Sequence, residues 1–223
     1  MKASSGSNDF DEFLYGGYET GIITAIYGPA SAGKTLLCLL SAIKAAKEKK
    51  VLFIDTEGVS AERMKQLCKD EKVFENIIFF HPLTFNEQKN LFSSLPKMIN
   101  NIGLIIVDTI SMLYRIAHAS SQDYYEINRE LSKQIGLLAE IARRQNIPVI
   151  VTSQVYSDFD QKDKVNIVGG DILKYGAKCL IELQAYRSNH RRAILRKHRS
   201  IGEREVIFRI IEKGLEKIEQ INW

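Results

Sequence analysis

The chain has 223 residues, 45% of them hydrophobic and 26% charged, with a formal charge of +4. That balance excludes a disordered or low-complexity chain, and the length is ample for one α/β domain with a sizeable core. Cys38, Cys68 and Cys179 are too scattered for a disulfide framework or a zinc site, the polar start carries no apolar signal segment, and no run could span a membrane, so a reducing cytoplasmic setting is expected.

In chain order, residues 1–13 are polar and Ser-rich and are expected to be a flexible segment ahead of a single core, residues 14–223. Residues 22–27 form a β-branched strand run. It leads into Gly28-Pro29-Ala30-Ser31-Ala32-Gly33-Lys34-Thr35, which is G-x-x-x-x-G-K-T, followed by an apolar helix through Ala46. Gly28 and Gly33 permit turns that a Cβ would block, and the loop N–H groups with the helix N-terminus make an anion nest. Lys34 is placed for the β- and γ-phosphates of a nucleotide, and the Thr35 hydroxyl for Mg²⁺. Residues 51–56 are a second strand, residues 59–70 a helix, residues 76–80 a third strand, and residues 85–100 a helix that Pro96 kinks or ends. Residues 102–107 are a fourth strand, residues 126–145 an amphipathic helix with Ile127, Leu131, Ile135, Leu138 and Ala142 on one stripe, and residues 147–152 a fifth strand. Apolar strands alternating with helices predict a mostly parallel sheet covered on both faces. After Gly169-Gly170 and a turn near residues 171–175, residues 178–186, 192–197 and 205–211 read as an antiparallel extension, with a basic hairpin at about residues 185–213.

Three polar residues follow strands. Asp108, after Leu104-Ile105-Ile106-Val107, has the Walker B form and would face the metal side of a bound triphosphate. Glu57, in Asp55-Thr56-Glu57-Gly58, reads on spacing alone either as a carboxylate that positions water or as a solvent-facing residue before a turn. Gln154 projects from the carboxyl edge of the sheet, where ligands bind; taken singly it is a polar strand end. The stretch at residues 187–199 holds Arg187, Arg191, Arg192, Arg196, Lys197 and Arg199 and no acid. On adjacent strands these would line one face and hold DNA by its phosphates, or else charge an edge hairpin against association. The four histidines have no ligand spacing, and Tyr124, Tyr125 and Trp223 read as packing residues.

Together these residues resemble the RecA/RadA recombinase family. The likeness runs from Gly16-Gly17-Tyr18-Glu19-Thr20-Gly21 through the phosphate loop and Asp55-Thr56-Glu57-Gly58. It continues through Val107-Asp108-Thr109-Ile110-Ser111, Ser153-Gln154-Val155 and Val168-Gly169-Gly170-Asp171. Within the family the chain is most similar to the short archaeal RadA paralogues, which have the ATPase core without the N-terminal helix–hairpin–helix domain; the basic run at residues 191–199 is part of that likeness.

The resemblance implies a RecA-type fold, ATP and Mg²⁺ as cofactors, and a role in DNA repair and recombination. Lys34 and Thr35 would hold phosphate and Mg²⁺, Glu57 would be the catalytic carboxylate and Asp108 the metal-side acid. Gln154 would couple the nucleotide to the loop after it, and Arg63 would stack on adenine. Two departures speak against strand exchange. The loop at residues 117–124 has no Lys or Arg, and the one between Tyr156 and Val168 is short, with Asp158, Asp160 and Asp163 against Lys162 and Lys164. No F-x-x-A segment precedes the core, so the chain is expected to accept such a segment from a RadA-type partner rather than donate one. The expectation is a weak ATPase that contacts DNA and modulates a RadA-type recombinase, with self-association possible in principle and no membrane contact. The alternatives are an ATP-switched adaptor without catalysis and a KaiC-like ATPase or kinase module.

Overall fold

A computed structural model describes residues 1–120, 123–157, 165–187 and 189–218. Its elements, in chain order, are β1 (Lys2–Ala3), α1 (Asn8–Phe13), β2 (Tyr18–Glu19), β3 (Ile23–Tyr27), α2 (Lys34–Ala45), β4 (Lys50–Asp55), α3 (Ala61–Leu67), β5 (Ile77–Phe80), α4 (Phe85–Ser94), β6 (Ile102–Asp108), α5 (Ser111–Ser120), α6 (Tyr124–Gln145), β7 (Val149–Ser153), β8 (Val155–Ser157), β9 (Val165–Ile167), α7 (Gly170–Gly176), β10 (Cys179–Tyr186), β11 (His190–Lys197), β12 (Arg204–Ile211) and β13 (Gly214–Lys217). Among the described residues nine strands form one sheet in the order β13-β12-β11-β10-β3-β7-β6-β4-β5. The six strands from β10 to β5 run parallel, and β11, β12 and β13 extend the sheet antiparallel.

Alternation along the central strands sends neighbouring side chains into two cores. Phe53 and Ile106 face α1, α2 and α3, packing with Phe10, Leu37 and Met64. Leu52 and Ile105 face α4 to α7, packing with Phe92, Leu131, Leu138 and Leu173. Local signals end the helices where chemistry requires. Asp123 caps α6 by accepting the Glu126 N–H, and Asn146 closes it in the left-handed region. Pro96 stops α4 at Ser94, passing the chain into a 3₁₀ turn at Leu95–Lys97.

The mostly parallel sheet with an antiparallel extension agrees with the sequence reading, and three details correct it. Residues 1–13 are not a loose segment. Phe10 and Phe13 are 1% and 2% exposed, β1 pairs with β2, and the Asp9 carboxylate accepts the Lys217 N–H at 2.8 Å. Phe10, Phe13 and Leu14 form one helical turn of apolar spacing, too short to stand out among serines, yet each Phe buried there contributes roughly 1.5–3 kcal/mol. The first expected strand of the extension, residues 178–186, runs parallel to β3 as β10, and the extension gains instead a last strand, β13. The stretch after Asp108, expected to run into a loop from residue 117, is helical through Ser120. Ser121 and Gln122, the acidic loop residues 158–164, and Trp223 lie outside the described residues.

Candidate functional site

β3 delivers the chain to the phosphate-loop residues 28–33, and α2 begins at Lys34. Gly28 passes so close to β10 that a Cβ would lie 2.3 Å from the Leu183 carbonyl oxygen, so only glycine fits. Gly33, at φ +101°, turns the chain into α2 and offers no side-chain cap, leaving the first N–H groups of the helix for an incoming anion. Lys34 is buried, and its Nζ donates to the carbonyls of Gly28 at 3.0 Å and Pro29 at 2.8 Å. Burial pulls the Lys34 ammonium below the usual lysine range, against the opposing pull of Glu57 and Asp108.

Asp108 ends β6 and is 1% exposed. Burial raises its carboxyl, while hydroxyl donors from Thr152 and Thr35 act the other way. Its Oδ2 has no hydrogen-bond partner among the described residues. A buried carboxylate oxygen left open beside the Thr35 hydroxyl suits a hard cation. Among the described residues no group of three or more His, Cys, Asp or Glu forms a metal cage. One open carboxylate oxygen beside a hydroxyl fits Mg²⁺, which keeps several waters and takes phosphate oxygens.

Glu57 is exposed at the same cleft, and Gln154, from the far side, donates from Nε2 to Glu57 Oε1 at 2.6 Å. Two residues 97 apart in sequence, each weak evidence when taken singly, are thus joined in space. The sequence reading did not assign what holds them. The buried Asp55 carboxylate accepts the N–H groups of Glu57 (3.1 Å), Gly58 (2.8 Å) and Val59 (2.7 Å), folding the turn that presents Glu57. The D-x-x-G spacing, with Gly58 at φ +90°, was the available signal of such an Asx turn. On the other side the Gln154 N–H donates to Ser111 Oγ at 3.1 Å, and its carbonyl accepts the Val168 N–H at 2.9 Å. Lys34, Thr35, Glu57, Gln154, Asn189, Arg191 and Ile210 are among the residues lining this cleft of about 490 Å³.

The remaining assigned residues lie elsewhere or do other work. Arg63 is absent from the lining of this cleft. Its guanidinium donates to the carbonyls of Ile211 at 2.8 Å and Glu212 at 2.9 Å, tying α3 to the turn between β12 and β13. The six basic residues do not share a face. Along β11, Arg192 and Arg196 point to one side of the sheet, while Arg191 lies opposite Phe208 and points to the other. The absence of acids within the run does not leave it free, because neighbouring strands supply them. Arg196 meets Glu182 and Glu203, both at 2.7 Å, and Arg192 meets Glu205 at 3.4 Å. Arg199 meets Glu19 at 2.9 Å, and Lys197 donates to the Lys174 and Ala177 carbonyls. Arg187 is exposed at the turn before β11.

A larger cleft of about 860 Å³ opens between α5, α6 and α7. Tyr114, Arg115, His118, Tyr125, Arg129 and Tyr156 contribute to its wall. The rings of Tyr114 and His118 lie 5.6 Å apart, those of His118 and Tyr124 lie 4.6 Å apart, and Tyr125 is 77% exposed. Tyr124 and Tyr125, which read as packing residues in the sequence, are both exposed, Tyr124 with its ring on His118.

The Rad51 family model matches residues 1–218. The DNA repair and recombination protein RadB of Methanobrevibacter smithii is 39% identical over 221 residues, covering 94% of this chain and 93% of its own. That of Archaeoglobus fulgidus is 37% identical, covering 97% and 98% respectively. A crystal structure of the RadB recombinase superposes with a TM-score of 0.82 at 35% identity, covering 97% of this chain and 99% of its own. Motif order, the sheet with its site edge and near full-length likeness agree: the chain belongs to the Rad51 family and, within it, to the RadB proteins.

Proposed function

We propose that the chain is a DNA repair and recombination protein that binds ATP with Mg²⁺, hydrolyses it slowly, contacts DNA and modulates a RadA-type recombinase. The observation that carries the ATP reading is the Gln154–Glu57 hydrogen bond facing Lys34 and Thr35 across one cleft. Loop N–H groups and the α2 N-terminus would bind the phosphates, and Lys34 would exchange its loop carbonyls for phosphate oxygens. Thr35 and Asp108 would hold Mg²⁺, which supplies charge neutralisation at the phosphates. Glu57 would orient the attacking water and accept its proton, with Gln154 fixing the Glu57 carboxylate and Asp55 fixing the turn beneath it. Because the Gln154 carbonyl and N–H are tied to Val168 and Ser111, a change at Glu57 would pass to the segment beyond β7.

For DNA, the cleft with Tyr125, Tyr156, Arg115 and Arg129, the last paired with Glu126, suits bases stacked on rings beside cations, the usual means of holding a single strand. Of the six hairpin cations, Arg192, Arg196 and Arg199 are paired with carboxylates and Lys197 with two carbonyls, which suits weak phosphate contact. A partner has a place to add a strand, since β5 is an edge of the large sheet. The setting proposed for this repair role is the cytoplasm; separately, among the described residues no helix is long and apolar enough to cross a membrane.

The test measures phosphate release with and without single-stranded DNA, alongside DNA retention at two salt concentrations. Slow Mg²⁺-dependent release with salt-sensitive retention supports the reading; no release together with unaltered repair by a Glu57→Gln strain would favour the ATP-switched adaptor.

A further inference from the structure

Arg191 is handled differently from the other two arginines of β11. Arg192 and Arg196 are joined to carboxylates, whereas among the described residues Arg191 has no carboxylate partner. Its Nε donates to the Ser31 carbonyl at 3.0 Å and its Nη1 to the His190 carbonyl at 3.0 Å. Ser31 stands at the outer bend of the phosphate loop, in the left-handed region at φ +60°. The pairing register places Arg191 across from Phe208, on the side of the sheet that carries α2, and its side chain lines the cleft shared by Lys34, Thr35, Glu57 and Gln154. A guanidinium has five N–H groups. Two are engaged with carbonyls, and among the described residues Nη2 has no partner.

A charged fork anchored to the lip of an anion-binding loop, with donors to spare and no acid to neutralise it, has the chemistry of a phosphate ligand. The two bound carbonyls fix its position, so little ordering would be lost when an oxyanion arrives. We propose that Arg191 belongs to the nucleotide site and not to a DNA surface: it acts within its own chain on the terminal phosphate of a bound nucleoside triphosphate. The inference rests on the ATP reading above. It gives the cleft two cations, Lys34 from beneath the loop and Arg191 from outside it, and it makes the start of β11 part of the nucleotide-responsive wall.

The test is calorimetric titration of Mg²⁺-ATPγS and Mg²⁺-ADP into the wild-type chain and into Arg191→Gln and Arg191→Lys. Gln keeps an N–H donor for Ser31 and removes the charge; Lys keeps the charge. Arg191→Gln should lower ATPγS affinity about tenfold or more, the scale of a charge-assisted hydrogen bond, and ADP affinity by less than about threefold. Arg191→Lys should retain most of the preference for the triphosphate. Equal losses for both nucleotides would reduce Arg191 to a staple of the loop and overturn the inference, as would no loss. Loss of single-stranded DNA retention with the triphosphate preference intact would return Arg191 to a DNA surface. If the wild-type chain itself takes up no ATPγS, the ATP reading fails first; if it binds and only the Arg191 variants behave like wild type, this inference alone fails.

Discussion

The parallel half of the sheet and its antiparallel extension place charged side chains by different rules. In the parallel half every strand points the same way, so the residues that follow β3, β4, β6 and β7 converge on one edge. Register puts Asp55 beside Asp108, and Glu57 meets Gln154 there. In the extension successive strands reverse. A run of cations alternates between two faces and meets acids contributed by the strands on either side. A charged residue at a parallel strand's end can be assigned from its own segment; a charged residue within an antiparallel ribbon depends on segments read elsewhere.

The comparison can be broken at four points. The first tests whether the extension is as well built as the parallel half. Phe208 of β12 is fully buried in the core shared with α2, so Phe208→Ala should cost about 3–5 kcal/mol in denaturant unfolding. A cost under about 1 kcal/mol would make the extension a loose appendage. The second probes the convergent edge. Glu57→Gln should cut phosphate release by about 100-fold, roughly 2.7 kcal/mol at the barrier, with ATPγS affinity nearly unchanged; unaltered turnover would leave Glu57 a surface residue. The third concerns DNA. Tyr125→Ala should weaken single-stranded DNA binding about fivefold or more, whereas Arg192→Ala with Arg196→Ala should stay within about threefold, as filter retention would show. The reverse ranking would make the hairpin the DNA surface after all.

The smallest effect is electrostatic. Glu19 accepts a hydrogen bond from Arg199, which with that charge holds its carboxyl below the usual value of 4.5 despite some burial. A carboxylate with a depressed folded pKa adds stability that is present above its unfolded pKa and is lost as pH falls through the folded one. Glu19 is half-buried but its partner Arg199 is exposed, so solvent screens that end of the pair, and Glu19→Gln should cost about 1 kcal/mol or less at pH 7 and flatten stability only in the acid range below about pH 5. An acid midpoint identical to wild type would remove the pair from the account.

What the sequence made legible follows from the same distinction. Gly28, Gly33, Lys34, Thr35 and Asp108 announce themselves because each one's requirement is local: a turn without Cβ, a helix start, a carboxylate after four apolar residues. The central strands were visible as apolar runs, and Pro96 ended its helix where the missing N–H demanded. Asp55 was passed over because its work is to accept three N–H groups of its own turn, which leaves only a faint D-x-x-G trace. The burial of α1 was hidden because its apolar turn is short: Phe10 rests on Phe13 and Tyr18 nearby, while Phe13 also meets Arg204 far along the chain. The hairpin's composition hid its ion pairs: the acids that meet Arg192, Arg196 and Arg199 stand at positions 19, 182, 203 and 205. Arg63 carries the sequence resemblance of an adenine-stacking residue, yet its donors go to two carbonyls that no motif could reveal.

The central claim is that the loop at residues 28–35 grips a triphosphate through main-chain N–H groups and Lys34. Calorimetry of Mg²⁺-ATPγS against the wild-type chain and Lys34→Ala tests it most directly. The account predicts saturable single-site binding to the wild type and at least about 100-fold weaker binding to the variant, the loss of a buried charged contact with phosphate. Equal affinity in the two proteins, or no heat in either, would contradict it.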